Sequence, residues 1–220
     1  MADPTEPTAA AATTPHREIE TFLRRCATLI ERAAADPAVD ADPAARQPSR
    51  AAAAALGAAL DHAEPRPFES TWLPCLDTID RLTPSQAADD RATTGSAATG
   101  DDGDPLATFV DLAPTLPWLP TPRVDDGGAE LALAPLDRVF DTGSITIGFM
   151  YVAPGCQYPL HHHPPQELYL VLGGRGRWRY GGSPELRMVA PLQTLYNHPD
   201  DLHTAIAGNE PIAALYVLWP

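Results

Sequence analysis

The sequence predicts a mainly β protein, a barrel or sandwich of many short antiparallel strands behind a helical N-terminal region. Two observations lead there. After Trp118 the runs SITIGFMYVA, ELYLVLG, RWRYGG, TLYNH and IAALYVLW follow one another, and all six tyrosines lie between Tyr151 and Tyr216. Short β-branched or aromatic runs bounded by Gly, Pro or Asn are the pattern of many short strands closing on themselves. Before Pro114 the apolar residues recur instead at helical spacing.

The helical part reads in order. Residues 1–14 are rich in Ala, Thr and Pro and are expected to form a disordered tail. Thr14-Pro15 supplies an N-cap and a first helical position. Ile19, Phe22, Leu23, Cys26, Leu29 and Ile30 then mark one helix face to about Ala35. A second helix is expected over Ser49 to Ala63, with an alanine-rich middle. A third holds Leu76, Ile79 and Leu82 and stops at Pro84. The stretch SQAADDRATTGSAATGDDGD, residues 85–104, reads as a solvated loop, and Asp104-Pro105 starts a short helix to about Ala113. This division gives a helical region at 15–115, without a chemical constellation, and a strand-rich unit at 116–220.

Composition narrows the function classes. The net charge of −14 disfavours a phosphate backbone as partner, so no nucleic acid is expected. No run of about 18 apolar residues exists to span a membrane, and the N-terminus lacks the basic and apolar segments of a secretory signal. Cys26, Cys75 and Cys156 are odd in number, far apart and without a CxxC pair, which suggests a reducing, cytoplasmic setting. An enzyme or binding protein for a small molecule fits these bounds.

The chemistry concentrates near the C-terminus, where five of the seven histidines fall within residues 161–203. His161 and His163 are two apart, which on a strand puts them on one face. Glu167, Tyr169 and Val171 share a face of the next run by the same rule, after a Pro164-Pro165 bend. His203 arrives after the turn Asn197-His198-Pro199-Asp200-Asp201. A histidine triplet beside prolines could by itself be a solvated loop; imidazoles joined by a carboxylate in a strand-rich setting suit one divalent ion, Fe, Mn, Zn, Co or Ni. His162 is out of phase and should point away, and His198 reads as a turn residue near the barrel mouth.

These residues carry a specific resemblance. Gly155, CQYPL, His161-His162-His163, PPQ, Glu167, LYLVLG and Gly174 resemble the first motif of the cupin family at every fixed position. His198-Pro199-Asp200-Asp201-Leu202-His203 resembles the second motif; the histidine is kept, and Asp200 stands where a glycine is usual. Asp tolerates a left-handed turn better than most residues. The resemblance implies a single cupin barrel (a double-stranded β-helix, or jelly roll) with metal ligands His161, His163, Glu167 and His203. YPLHHHPPQELYLVLGG, TLYNHPDDLHTAIAGNEPIAALYVLW and LAPTLPWLPTPR are further similar to the dimethylsulfoniopropionate (DMSP) lyase family of cupins. That likeness implies cleavage of DMSP to dimethyl sulfide and acrylate, with Tyr169 as catalytic base and Tyr158 in the substrate pocket. Tyr151, Trp178 and Tyr196 are candidates to meet the sulfonium by cation–π attraction. Two alternatives remain at this point: a related cupin isomerase or dioxygenase on another small carboxylate, or a non-enzymatic cupin that binds a metal or small ligand. A homodimer is possible.

Overall fold

The computed structural model describes residues 14–35, 46–84 and 103–220. The expected tail therefore lies outside the described residues except for Thr14, and the expected loop at 85–104 except for Gly103 and Asp104. Helix α1, Thr14–Ala35, buries Ile19, Phe22, Leu23, Cys26 and Ile30, the stripe read from the sequence. Helix α2, Arg46–Asp61, starts three residues before Ser49; Pro48 falls in its first turn, where the missing N–H costs nothing. The third expected helix is a 3-10 segment, Pro74–Arg81, broken at Thr78 (φ −107°, ψ 15°). There the Thr78 hydroxyl donates back to the Cys75 carbonyl at 3.1 Å, a local bond that competes with the helical ladder. Helix α3, Pro105–Leu112, is capped by the Asp104 side chain, which accepts from the Leu106 N–H, and a 3-10 turn, Ala113–Thr115, follows it. No helix among the described residues is long and apolar enough to cross a membrane.

The strands are β1 Glu64–Pro65, β2 Leu119–Pro120, β3 Leu131–Pro135, β4 Phe140–Asp141, β5 Thr146–Val152, β6 Gln157–His161, β7 Gln166–Gly173, β8 Gly176–Arg179, β9 Arg187–Val189, β10 Thr194–Asn197, β11 His203–Ala207 and β12 Ile212–Trp219. They form a six-stranded sheet in the order β10-β7-β12-β5-β3-β2, a four-stranded sheet β6-β11-β8-β9, and the small pair β1-β4. The strand pairs are antiparallel. Five strands coincide with the runs quoted above; the other seven described strands are not among them.

Two hydrophobic cores lie on the two faces of the larger sheet, and strand alternation separates them. Leu168, Leu170 and Leu172 of β7, Ile147, Phe149 and Tyr151 of β5, and Ala213, Leu215 and Val217 of β12 pack with α1, α2 and α3. Phe149 lies 6.0 Å from Phe22 and 5.4 Å from Phe109, ring centre to ring centre. Burying a side chain of that size contributes about 1.5–3 kcal/mol. The opposite set, Tyr169 and Val171, Met150 and Val152, and Ile212, Ala214 and Tyr216, packs with Tyr158, Trp178, Val189, Ala205 and Ala207 of the smaller sheet. Two sheets closed face to face around this inner core make the single jelly-roll barrel that the motifs imply.

Tight turns hold the ends. Gly174 has φ 77°, and any Cβ there would collide with the Pro211 carbonyl, so glycine is required by both backbone and space. Asp200 takes the left-handed conformation, φ 62°, as expected for the position where the second motif usually has glycine.

Candidate functional site

Register brings the histidines together. Antiparallel pairing of β11 with β6 sets His203 directly opposite His161. His163 lies two residues past the end of β6, in the bend rather than on the strand face expected for it; Pro164-Pro165 ends the ladder early. The ligating atoms of His161, His163 and His203 nevertheless lie within 4.8 Å of one another. Glu167, on β7, reaches in from the facing sheet. Its Oε2 is 3.0 Å from His203 Nε2 and 3.3 Å from His163 Nε2.

The hydrogen bonds fix which nitrogen faces the centre. His161 Nδ1 donates to the Pro159 carbonyl at 2.8 Å, His163 Nδ1 to the Pro165 carbonyl at 3.1 Å, and His203 Nδ1 to the Asp201 carbonyl at 2.8 Å. A carbonyl can only accept, so each ring carries its proton on Nδ1 and offers the Nε2 lone pair inward. His203 Nε2 is buried without a hydrogen-bond partner; its approach to Glu167 is one of distance, not of hydrogen-bond geometry. Buried polar atoms are seldom left so. Two donors bound to one ion at ~2.1 Å stand ~3.0 Å apart at a right angle and ~3.4 Å apart at a tetrahedral angle. The 3.0 and 3.3 Å separations match that requirement. The donor set therefore fits a divalent metal.

Electrostatics favour the deprotonated forms of His161 and Glu167. Burial and the neighbouring His203 hold His161 down to about 4. Burial alone would push Glu167 up, but the adjacent His163 and His203 hold it down to about 2. His163 is raised by Glu167. Tyr169, buried and beside the Glu167 carboxylate, is pushed well above the ordinary tyrosine value, first by burial.

These groups open on a small cavity of about 140 Å³ lined by Arg123, Tyr158, His161, His163, Glu167, Tyr169 and Tyr216. That is the room of roughly five waters at ~30 Å³ each, which suits a small organic molecule. A larger cleft of about 920 Å³ runs between α1 and α3, but no metal-ligating cluster of the described residues lies in it.

The nominated residues sort clearly. The Tyr158 ring is 4.4 Å from the His161 ring. Tyr169 packs against Trp178 at 5.2 Å, and the Trp178 indole N–H is buried without a partner. Tyr151 and Tyr196, expected as aromatic walls, are not brought to the site. Tyr151 faces the helices and its hydroxyl meets Thr78 Oγ1 at 2.9 Å; strand parity sends it outward. Tyr196 also lies on the outer face, donating to Gln166 Oε1 at 2.7 Å, with the His198 ring edge-on to it. His162 is exposed, near Asp200.

Three residues of the site escaped the sequence reading. Asn197, opposite Glu167 on β10, donates from Nδ2 to Glu167 Oε2 at 3.3 Å and accepts from the Gly181 N–H at 3.2 Å. Tyr216 pairs with both Tyr169 and Gly148 across β12. A Cβ at Gly148 would collide with the Tyr216 hydroxyl and meet the Ala134 carbonyl at 2.7 Å. Glycine inside the TIGFMYV strand is the signal for that close approach. Arg123, between β2 and β3, brings its Nε to 3.4 Å from the Tyr158 hydroxyl.

Comparison with known proteins meets the same residues. Residues 133–214 match the model of the dimethylsulfoniopropionate lyase family, so the resemblance read from the motifs is borne out over that segment. The DMSP lyase DddQ of Ruegeria pomeroyi is 30% identical over 80 residues, 36% of this chain and 39% of the relative. The chain thus spans about two fifths of that relative's length. The crystal structure of DMSP lyase DddQ from Ruegeria pomeroyi DSS-3 superposes with a TM-score of 0.56 at 20% identity, covering 73% of this chain and 78% of the other. A chain from the crystal structures of the DMSP lyases RdDddP and RnDddQII gives 0.55 at 23%, covering 70% and 75%. Both likenesses establish the cupin fold.

Proposed function

We propose that this chain is a metal-dependent carbon–sulfur lyase that cleaves DMSP to dimethyl sulfide and acrylate, with Tyr169 as base. The observation that carries the reading is the position of Tyr169. It lies on the face of β7 that holds Glu167, lining the cavity that His161 and His163 also line. A protein that only bound a metal would have no use for a hydroxyl there.

A divalent ion held by His161, His163, His203 and Glu167 would act as a Lewis acid on a bound carboxylate and favour ionisation of a nearby phenol. The remaining work falls to the chain. Burial and Glu167 keep Tyr169 a neutral phenol without that ion, so its basicity is tied to a loaded site. As phenolate, Tyr169 takes the proton from the carbon alpha to the carboxylate. The C–H pair becomes the new carbon–carbon double bond, and the carbon–sulfur pair leaves with sulfur. Dimethyl sulfide departs neutral, so no general acid is needed. Trp178 packs behind Tyr169 and does not line the cavity; Tyr158 and Tyr216, which do, would offer aromatic faces to the sulfonium, worth about 0.5–2 kcal/mol. Free Cys26, Cys75 and Cys156 support a cytoplasmic location.

The test is headspace dimethyl sulfide from purified protein loaded in turn with Fe, Mn, Zn, Co or Ni and given DMSP. Tyr169→Phe keeps the ring and should lower turnover by at least ~100-fold, the lower end for a lost general base, with little change in melting. Near-native cleavage by that variant would move the base elsewhere, Tyr158 first. No dimethyl sulfide with any metal would end the DMSP assignment.

A further inference from the structure

One cation at the cavity is not accounted for by the chemistry above. The Arg123 guanidinium stands at the mouth, 6.0 Å from the centre of the Tyr158 ring, and lines the cavity with the imidazoles. Its side-chain partner among the described residues is the Tyr158 hydroxyl, at a long 3.4 Å. Acidic groups outnumber basic ones 29 to 15 in this chain, and Arg24 and Arg66 both hold carboxylates. Arg123 pairs with none among the described residues. A guanidinium with free donors beside a small cavity is shaped for a planar anion, which it can take with two parallel hydrogen bonds.

We propose that Arg123 is the specificity-determining residue of the cavity: it binds the substrate carboxylate together with the ion site beside it, and its charge turns a cationic end of the same molecule inward, toward Tyr169 and Tyr216. This rests on the reading that the cavity receives a small carboxylate. It adds the orientation: the carboxylate shared between Arg123 and the ion site, the cation against the tyrosines that line the cavity. It also separates zwitterions of DMSP type from simple cations, which Arg123 repels.

The test uses metal-loaded protein, with calorimetric titration of two half-substrates. Propionate carries the carboxylate alone, and trimethylsulfonium the cation alone. Arg123→Gln should weaken propionate at least ten-fold, and Arg123→Lys should recover only part of the loss. Trimethylsulfonium should bind the Gln variant as well as the wild type, or better. With DMSP, the loss should fall on KM rather than kcat. The side chain is exposed, so melting should be unchanged. Undiminished propionate binding by Arg123→Gln overturns the proposal. So does a loss that Tyr158→Phe reproduces and that the double variant does not deepen, since Arg123 would then serve only to hold Tyr158. Arg123-dependent propionate binding in a protein that releases no dimethyl sulfide would uphold this proposal while ending the DMSP assignment.

Discussion

One strand, β7, shows two kinds of design one residue apart. Leu168, Leu170 and Leu172 point to the helices and are almost wholly buried among apolar neighbours. Glu167, Tyr169 and Val171 point into the barrel. There a carboxylate is held down to about 2 and a phenol is pushed up, both in burial as deep as that of the leucines. On β7 the outer face presents only leucines, which need no polar partner. The inner face has a buried His203 nitrogen and a buried indole N–H without partners. A face that folds by packing and a face that waits for ligands can share a backbone because alternation isolates them.

The contrast is broken most directly by neighbouring substitutions. Leu170→Ala should cost about 2–5 kcal/mol, as buried Leu→Ala changes do, and the loss should appear in denaturant melts with or without metal. Tyr169→Phe should leave those melts nearly unchanged and remove turnover. If Leu170→Ala lowered turnover at temperatures where it stays folded, the two faces would be mechanically coupled.

Metal should sharpen the contrast from the other side. A divalent ion at about a thousand times its dissociation constant stabilises the fold by about 4 kcal/mol, read as the difference in melting with and without chelator. Ala at His161, His163 or His203 should erase that increment, while Leu170→Ala should retain it. A wild-type melt indifferent to all five metals would refute the site.

Next in size is Asn197→Ala. Asn197 holds Glu167 Oε2 from the neighbouring strand, the kind of outer partner whose loss weakens metal binding about 10–100-fold. Competition against a chelator of known affinity would measure it, and an unchanged affinity would show that His163 and His203 suffice to orient the carboxylate.

The ligand set was legible because it is local: His161, His163 and Glu167 sit within seven residues, and the motif spacing carries His203 with them. Helix α1 was legible because only one of its faces is buried, which leaves a 3.6-residue period in the sequence. Tyr216 and Asn197 were not, since their roles depend on register, Tyr216 opposite Tyr169 and Asn197 opposite Glu167. Arg123 lies in a connection whose path composition does not encode. Tyr151 was misread for a physical reason: β5 is buried on both faces after Thr146, so no polar alternation reveals which way a residue points. Gly148 held the answer. It faces inward under the Tyr216 hydroxyl, so Tyr151, three residues on, must face outward.

That parity argument yields the smallest and cleanest prediction, Tyr151→Phe. The Thr78 hydroxyl already donates to the Cys75 carbonyl, so in the Tyr151–Thr78 contact at 2.9 Å the tyrosine is the donor. Removing it leaves one Thr78 lone pair unmet. Thr78 is only half-buried, and water can reach it, so the cost should fall toward the lower end of the usual range of about 0.5–1.5 kcal/mol. Metal affinity, KM and turnover should be unchanged, since the side chain lies on the far face of the sheet from the cavity. A Tyr151→Phe enzyme with full stability but raised KM for DMSP would reverse the assignment and return Tyr151 to the substrate.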